Sequence, residues 1–352
     1  MGNIIGTYAA YSKDGKLRLE SSSGAVFSLL AEQVLYQDGM VYGVAMSRDC
    51  KYAKFIRVDK RENLRKLRGS KYLQARVGNT YQQIKEDLES GSTVLFSGTG
   101  CQINGLKGFL KKEYSNLYCV DVICHGAPSP KLWKQYVQYI EAETSAKLIN
   151  VNFRCKNDSL SDLGMKRIDV NHKILYISKD KDPYMLMFLR DYSLRPSCYE
   201  CVAKRQKLSD LTIADFWGIN QVFPEMNDGK GVSLVILRTS KGLELFNHIK
   251  TDIVCKEVSY GEGVKENPSE YRSTKRPVER DFFFNDMAAM NFEELKSKYA
   301  IPARISFKNK VKRSIKKLIL KVQASKFIGE NKVSSLTYGL LFTLKEKTVW
   351  KE

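Results

Sequence analysis

The chain has 352 residues, 43% hydrophobic and 28% charged, with eight cysteines and a formal net charge of +19. These proportions suit a soluble globular protein of two packed units and a tail, and they exclude a disordered, low-hydrophobicity chain. No apolar run approaches the ~20 residues that span a bilayer. Residues 1–10 lack the basic-then-apolar plan of a secretory signal, so the expected location is the cytoplasm, where thiols stay reduced. There eight cysteines serve as metal ligands, redox centres or core residues rather than disulfides. The positive charge favours anionic partners. It is uneven: residues 301–352 hold 13 Lys+Arg and three Asp+Glu, a balance of +10, which leaves +9 for residues 1–300. No helix-turn-helix or base-stacking pattern accompanies it, which argues against nucleic acid as the partner.

In chain order, residues 8–11 and 16–19 read as two short strands joined by Lys13-Asp14-Gly15, since Asp-Gly supplies the positive φ of a tight hairpin. Ser21-Ser22-Ser23-Gly24-Ala25 then runs into a helix over residues 26–35, with apolar positions 26, 29, 30 and 34 on one face. A small, hydroxyl-rich loop at a helix start offers free N–H groups and a positive dipole to a phosphate, or a serine simply caps the helix. Residues 40–45 and 54–58 are strands, and residues 61–67 a short helix leading into the basic turn Arg68-Gly69-Ser70-Lys71-Tyr72. Residues 81–88 form an amphipathic helix.

Residues 93–97 are a buried strand that ends in Gly98-Thr99-Gly100-Cys101-Gln102 and a helix. Residues 117–123 repeat the plan, ending in Cys124-His125-Gly126-Ala127-Pro128-Ser129-Pro130, where Ser129 and Pro130 open the next helix. Strand, glycine loop and helix in alternation predict an α/β protein. Its central sheet is mixed and largely parallel, flanked by helices, with binding loops at the carboxyl ends of the strands. Residues 148–177 read as antiparallel strands, 183–192 as a helix rich in Met and Phe, 211–214 and 232–237 as strands, and 242–249 as a helix. The body ends near residue 299.

Cys101, Cys124, Cys198 and Cys201 all lie in loops flanked by Gly, Pro or Ser, and the last two have Cys-x-x-Cys spacing. Cys119 lies inside a strand, and Cys50, Cys155 and Cys255 have no loop motif beside them. Four loop thiols are the complement of a cubane iron–sulfur cluster or of a zinc site. The plain alternative, thiols acting as small hydrophobes, fits Cys119 and fits a cysteine followed by His125-Gly126 poorly.

Six motifs in order, Ser21-Ser22-Ser23-Gly24, Arg68-Gly69-Ser70-Lys71-Tyr72, Gly98-Thr99-Gly100-Cys101-Gln102, Ile123-Cys124-His125-Gly126, Cys198-x-x-Cys201 and Asp215-Phe216-Trp217-Gly218, resemble the coenzyme F-420 hydrogenase/dehydrogenase beta subunit family over residues 5–265. The resemblance implies an iron–sulfur flavoprotein oxidoreductase that binds FAD and a [4Fe-4S] cluster and passes electrons to a deazaflavin or another acceptor. It implies Cys101, Cys124, Cys198 and Cys201 as cluster ligands. It implies Ser21, Ser22, Ser23, Gly24, Lys71, Gly98, Thr99 and Gln102 as the FAD site, with phosphates against the serine loop. His125, beside a cluster ligand, is either a catalytic group that tunes the flavin or relays a proton, or a hydrogen-bonded loop residue. Residues 1–82 are then an N-terminal flavin-contacting part, 83–299 an α/β domain carrying the cysteines, and 300–352 a basic helical tail.

Gly100 and Ala25 stand where the family usually has proline and glycine. The ferredoxin module of repeated Cys-x-x-Cys that often begins the family is not in this sequence, which implies a separate electron-donor protein such as a ferredoxin. Relatives set among surface-polysaccharide functions suggest an alternative: a non-catalytic accessory protein of polysaccharide biosynthesis that keeps zinc or no metal. In the tail, Val311, Ile315, Leu318, Ile319 and Val322 share a helical face bordered by six Lys and Arg residues. That pattern predicts peripheral contact with an anionic membrane surface, or self-packing with the basic face in water.

Overall fold

The structure is a computed structural model that describes residues 4–156 and 163–302. The chain begins β1 (Gly6–Ser12), α1 (Gly15–Glu20), α2 (Val26–Tyr36), β2 (Met40–Met46), β3 (Ala53–Val58), a 3-10 turn at Arg61–Lys66, and β4 (Ala75–Arg76). It continues α3 (Thr80–Glu89), β5 (Val94–Thr99), α4 (Gly100–Leu110), β6 (Leu117–Val122), α5 (Pro130–Thr144), β7 (Leu148–Lys156), β8 (Leu163–Asp169), β9 (Ile174–Ser178) and α6 (Pro183–Leu189). After 3-10 turns at Pro196–Cys198 and Val202–Lys204 come β10 (Leu211–Asp215), α7 (Ile219–Val222), β11 (Ser233–Leu237), α8 (Ser240–His248), β12 (Ile253–Glu257), α9 (Tyr260–Val264), α10 (Arg280–Ala289) and α11 (Phe292–Tyr299). Contacts gather Met1–Ile301 into one unit and Pro302–Glu352 into another. The predicted amphipathic tail helix lies outside the described residues.

Strands buried on both faces read as apolar runs: β11 is one after its first serine, β5 opens with Val94-Leu95-Phe96, and β6 is apolar but for Asp121 near its end. They sit in a nine-stranded mixed sheet of order β12-β1-β11-β10-β6-β5-β2-β3-β4, beside a three-stranded antiparallel sheet β7-β8-β9. The centre, β10-β6-β5-β2, is parallel, and the flanking β12, β1 and β11 are antiparallel. Along β5, Val94 and Phe96 enter one core and Leu95 the other. The first core takes α3, α4, α5 and α6 and is dense in aromatic rings, with Trp133 donating to the Cys50 carbonyl at 2.7 Å. The second takes α2 and α8. The parallel centre turns the carboxyl ends of β5, β6 and β10 to one edge, so the cysteine loops after β5 and β6 meet there.

Two local expectations give way to tertiary structure. Residues 16–19 are not the second strand of a hairpin. The Asp14 side chain accepts the N–H groups of Lys16 (2.9 Å) and Leu17 (3.0 Å), which starts α1. A hairpin partner would also need a free edge of β1, and β11 and β12 occupy both. Nor does a serine cap α2. The residue at that position is Ala25, at φ 69°, with no side-chain cap.

A left-handed backbone pushes a Cβ toward the following carbonyl and costs about 1–2 kcal/mol at a non-glycine residue. Ala25→Gly removes that strain, less the extra freedom glycine has when unfolded. The expected result is a rise of about 0.5–1 kcal/mol in unfolding free energy, measured by urea denaturation. A fall would show that the Ala25 methyl, only 4% exposed, packs more than it strains.

Candidate functional site

The edge is built on strand ends. Thr99 closes β5 and α4 begins at once, its start fixed by the Gln102 side chain, which accepts the Thr99 N–H at 2.9 Å. Gly98 lies against it: a Cβ there would stand 2.9 Å from Gln102 Oε1. Gly98, Thr99 and Gln102 therefore shape the helix start that carries Cys101. That cysteine is exposed, its Sγ 3.2 Å from the Thr99 hydroxyl. Cys124 follows β6. Cys198 ends a 3-10 turn and its sulfur accepts the Ala127 N–H at 3.4 Å, joining the two cysteine loops. The Cys201 N–H donates to Ser273 Oγ at 3.0 Å. All eight cysteines are free thiols, and Cys119 is a buried core residue.

Burial pushes the Cys124 thiol up to about 12, and the thiols of Cys101, Cys198 and Cys201 add to the rise while the Lys204 ammonium opposes it. Burial also raises Cys198, opposed by the Ala127 N–H and reinforced by Cys101 and Cys201. The four loop thiols from three distant segments thus share one electrostatic environment. Among the described residues no three His, Cys, Asp or Glu side chains close around a single metal position. In donor chemistry the set fits an iron–sulfur cluster: four soft thiols, and an ammonium as the cation felt by Cys124. Lys204, which donates to the Arg272 carbonyl at 3.0 Å, is only part of a basic run in the sequence.

His125 Nε2 lies 2.5 Å from Asp191 Oδ1, and its ring meets Phe188 edge-on at 5.5 Å. Asp191 also takes the Thr274 hydroxyl and stands at φ 65°. No local motif marks Asp191; only the fold brings it to His125.

The serine loop is knitted into the body. Ser21 Oγ donates to the Leu17 carbonyl at 2.8 Å, and Ser23 Oγ to the Val232 carbonyl at 2.9 Å. Ser22 Oγ accepts the Ser70 N–H at 2.8 Å, which binds the serine loop to the basic turn. A Cβ at Gly24 would stand 2.4 Å from the Ala10 carbonyl oxygen, so only glycine lets the loop lie on the sheet. The Lys71 ammonium points back at the Arg61–Lys66 turn, donating to the carbonyls of Lys66, Leu67 and Arg68. Burial pulls it down to about 7. The structure therefore joins the serine loop to the turn of Lys71 while committing those hydroxyls and that ammonium to internal partners. What the loop leaves for a phosphate is the first N–H groups of α2.

Two cations of β7, unmarked in the sequence, reach this edge. Lys156 donates to the carbonyls of Arg18, Ser23 and Lys230 at 2.7–2.8 Å, and burial, then Arg154 and Arg18, pull it down to about 7. Arg154 pairs with Asp215 through Nη1 and lies 5.0 Å from the Trp217 ring centroid. Its Nη2 is buried without a partner among the described residues. An unpartnered buried donor costs about 1–3 kcal/mol, more when charged, so a ligand oxygen there would be well rewarded. That orphan donor makes the edge a fit for a phosphate-bearing cofactor.

Residues 91–262 match a family model, that of the C-terminal part of the beta chain of coenzyme F420 hydrogenase/dehydrogenase. The match takes in all four loop cysteines, His125 and Asp215-Phe216-Trp217-Gly218, and stops short of the serine loop. Among solved structures the chain is similar to one from the F420-reducing nickel–iron hydrogenase complex of Methanosarcina barkeri. The TM-score is 0.51 at 15% identity, over 84% of this chain and 91% of that one, a likeness of fold. No curated protein matches.

The thiol environments predict unequal reactivity. In metal-free protein at neutral pH, iodoacetamide followed by peptide mass spectrometry should label exposed Cys101 well before Cys124, whose thiol stays protonated until pH approaches about 12. Equal labelling of the two would show that Cys124 is not desolvated.

Proposed function

From the chain's membership of the coenzyme F420 hydrogenase/dehydrogenase beta subunit family, carried by residues 91–262, we propose an electron-transferring oxidoreductase that holds a [4Fe-4S] cluster and FAD. Its acceptor is coenzyme F-420 or a substrate of a surface-polysaccharide pathway, and its donor a separate protein such as a ferredoxin. The observation that supports this best is the Cys124 thiol, raised first by burial and then by Cys101, Cys198 and Cys201. Those four would ligate the cluster, with Lys204 as nearby countercharge. The start of α2, Ser22 and Ser23 would lie along the flavin phosphates. When bound, the cluster supplies single electrons and the flavin exchanges one electron or two.

The protein's own part is position and electrostatics. Asp191 holds the His125 ring in one orientation at the cysteine edge, so a proton on His125 is kept at a defined place. The Ala127 N–H, donating to Cys198 sulfur, stabilises its thiolate. Lys204 reduces the cost of gathering negative charge on Cys124, Cys198 and Cys201.

A second reading is an accessory protein of polysaccharide biosynthesis without electron transfer. It is favoured by the serine hydroxyls and the Lys71 ammonium, whose internal hydrogen bonds ask for no ligand. Strictly anaerobic purification separates the two. The oxidoreductase is brown-yellow, with absorbance near ~400–450 nm and bound iron, and Cys198→Ser lowers its iron content. A colourless, iron-free preparation supports the accessory reading, and full iron retention in Cys198→Ser removes that residue from the ligand set.

Among the described residues no helix is long and apolar enough to cross a membrane. Peripheral contact through the basic segment 301–352 is part of the proposal, each cation near an anionic surface contributing about 1 kcal/mol. The full chain should sediment with anionic liposomes and lose binding steeply with salt. Equal binding by a chain ending at Ala300 would remove that role.

A further inference from the structure

Strand β7 carries an extra residue. Asn152 pairs with Lys166 of β8 and Cys155 with Gly164, so three steps on one strand answer two on the other. Such a bulge takes a side chain out of the alternation that a strand otherwise imposes. The burial shows it: Phe153 and Arg154, consecutive in sequence, are both buried. Phe153 joins the aromatic core against Trp133. Arg154 is turned in as well, its side chain only 5% exposed. Arginine cannot shed its proton to relieve burial. Asp215 engages Nη1, the Trp217 ring lies alongside, and Nη2 is left with no acceptor among the described residues.

The position matters as much as the orphan. Asp215 ends the parallel strand β10, and Lys156, two residues along β7, grips the Ser23 carbonyl. Arg154 therefore stands between the loop that opens α2 and the Asp215-Phe216-Trp217-Gly218 segment. Asp215 holds one arm of the planar guanidinium and fixes its direction, which leaves the other arm preset for an oxyanion. The first N–H groups of α2, which the Ser23 loop opens, are donors too. An edge furnished with donors suits a group with several anionic oxygens.

We propose that Arg154 Nη2 is the recognition donor for a phosphate oxygen of the ligand bound at this edge, with the bulge in β7 as the device that delivers it. Assigning that phosphate to the pyrophosphate of FAD rests on the flavin reading above; an FAD molecule and a free diphosphate share the chemistry. The test is calorimetric titration of the full chain and of its Arg154→Gln and Arg154→Lys variants with FAD, riboflavin and inorganic pyrophosphate. Thermal melting of the ligand-free proteins is run alongside to separate folding from binding.

Arg154→Gln should weaken FAD and pyrophosphate at least about tenfold and leave riboflavin unchanged, since hydrogen bonds to charged groups are worth that much. Arg154→Lys, which keeps the charge and loses the fork, should fall between. It carries the test if the glutamine variant does not fold. Equal binding of FAD and pyrophosphate by wild type and the folded variants overturns the proposal and leaves the flavin reading standing. Wild type that binds pyrophosphate but not FAD, with the loss in the variants, upholds Arg154 and ends the flavin reading. Loss of riboflavin in step with FAD would place Arg154 at the flavin ring and overturn the phosphate assignment, and so would wild type that binds none of the three.

Discussion

Four buried charges, one on β6 and three from the loops around it, hold the cysteine edge in place. Asp121 of β6 is fully buried and takes Lys207 at 3.3 Å, Ser209 at 2.8 Å and the Thr212 hydroxyl at 2.5 Å. Lys207 also reaches Glu270 at 2.8 Å, and Glu270 is closed by Arg238. Burial pulls Lys207 down, yet Asp121 and Glu270 outweigh it and hold the ammonium above its ordinary value. Two anions and two cations cancel, so the set tolerates the interior only while complete. Removing one member of a buried pair leaves a bare charge at a cost of about 3–5 kcal/mol.

That network explains how three separate segments come together. Lys207 follows the Cys-x-x-Cys closely and pins it to β6, whose end carries Cys124. Glu270 anchors the chain just before Arg272 and Ser273, which take Lys204 and the Cys201 amide. The position of the thiols is therefore set from beneath, by charge pairing under the loops. On the far side, Ser22 and Ser70 clasp the N-terminal loops, and Arg68 ties α1 to α2 through Glu20 and Glu32. The edge between is framed by two rigid supports, and Arg154 is the cation set between them.

Much of this was legible in the sequence where the signal is local. Apolar runs at strand length followed by Gly and Cys mark β5 and β6, and alternation with helices gives the parallel centre. The sequence also set Cys119 apart: it lies in a strand and is core. What failed was local chemistry judged without its neighbours. Asp14-Gly15 has hairpin composition, yet both edges of β1 are filled by strands more than two hundred residues later. Serine before a helix has cap composition, yet the serine hydroxyls find partners elsewhere and Ala25 takes the strained position. Asp191, Lys204 and Arg154 carried no signal. An aspartate in a loop, a lysine in a basic run and an arginine in a strand acquire meaning only from the side chains that the fold sets opposite them.

The same burial that shapes the thiol group also sets the terms on which it can be used. A metal ligand must be a thiolate, and Cys124 is held protonated by burial and by three neighbouring thiols. Negative charge on Cys101, Cys198 or Cys201 makes ionisation of Cys124 harder still. Lys204 works in the opposite direction. Burial lowers it while Cys124 and Cys201 push it back up, so its charge and theirs are mutually dependent. Within the group the terms differ: buried Cys124 is quiet toward solvent, while Cys101 stays open to it.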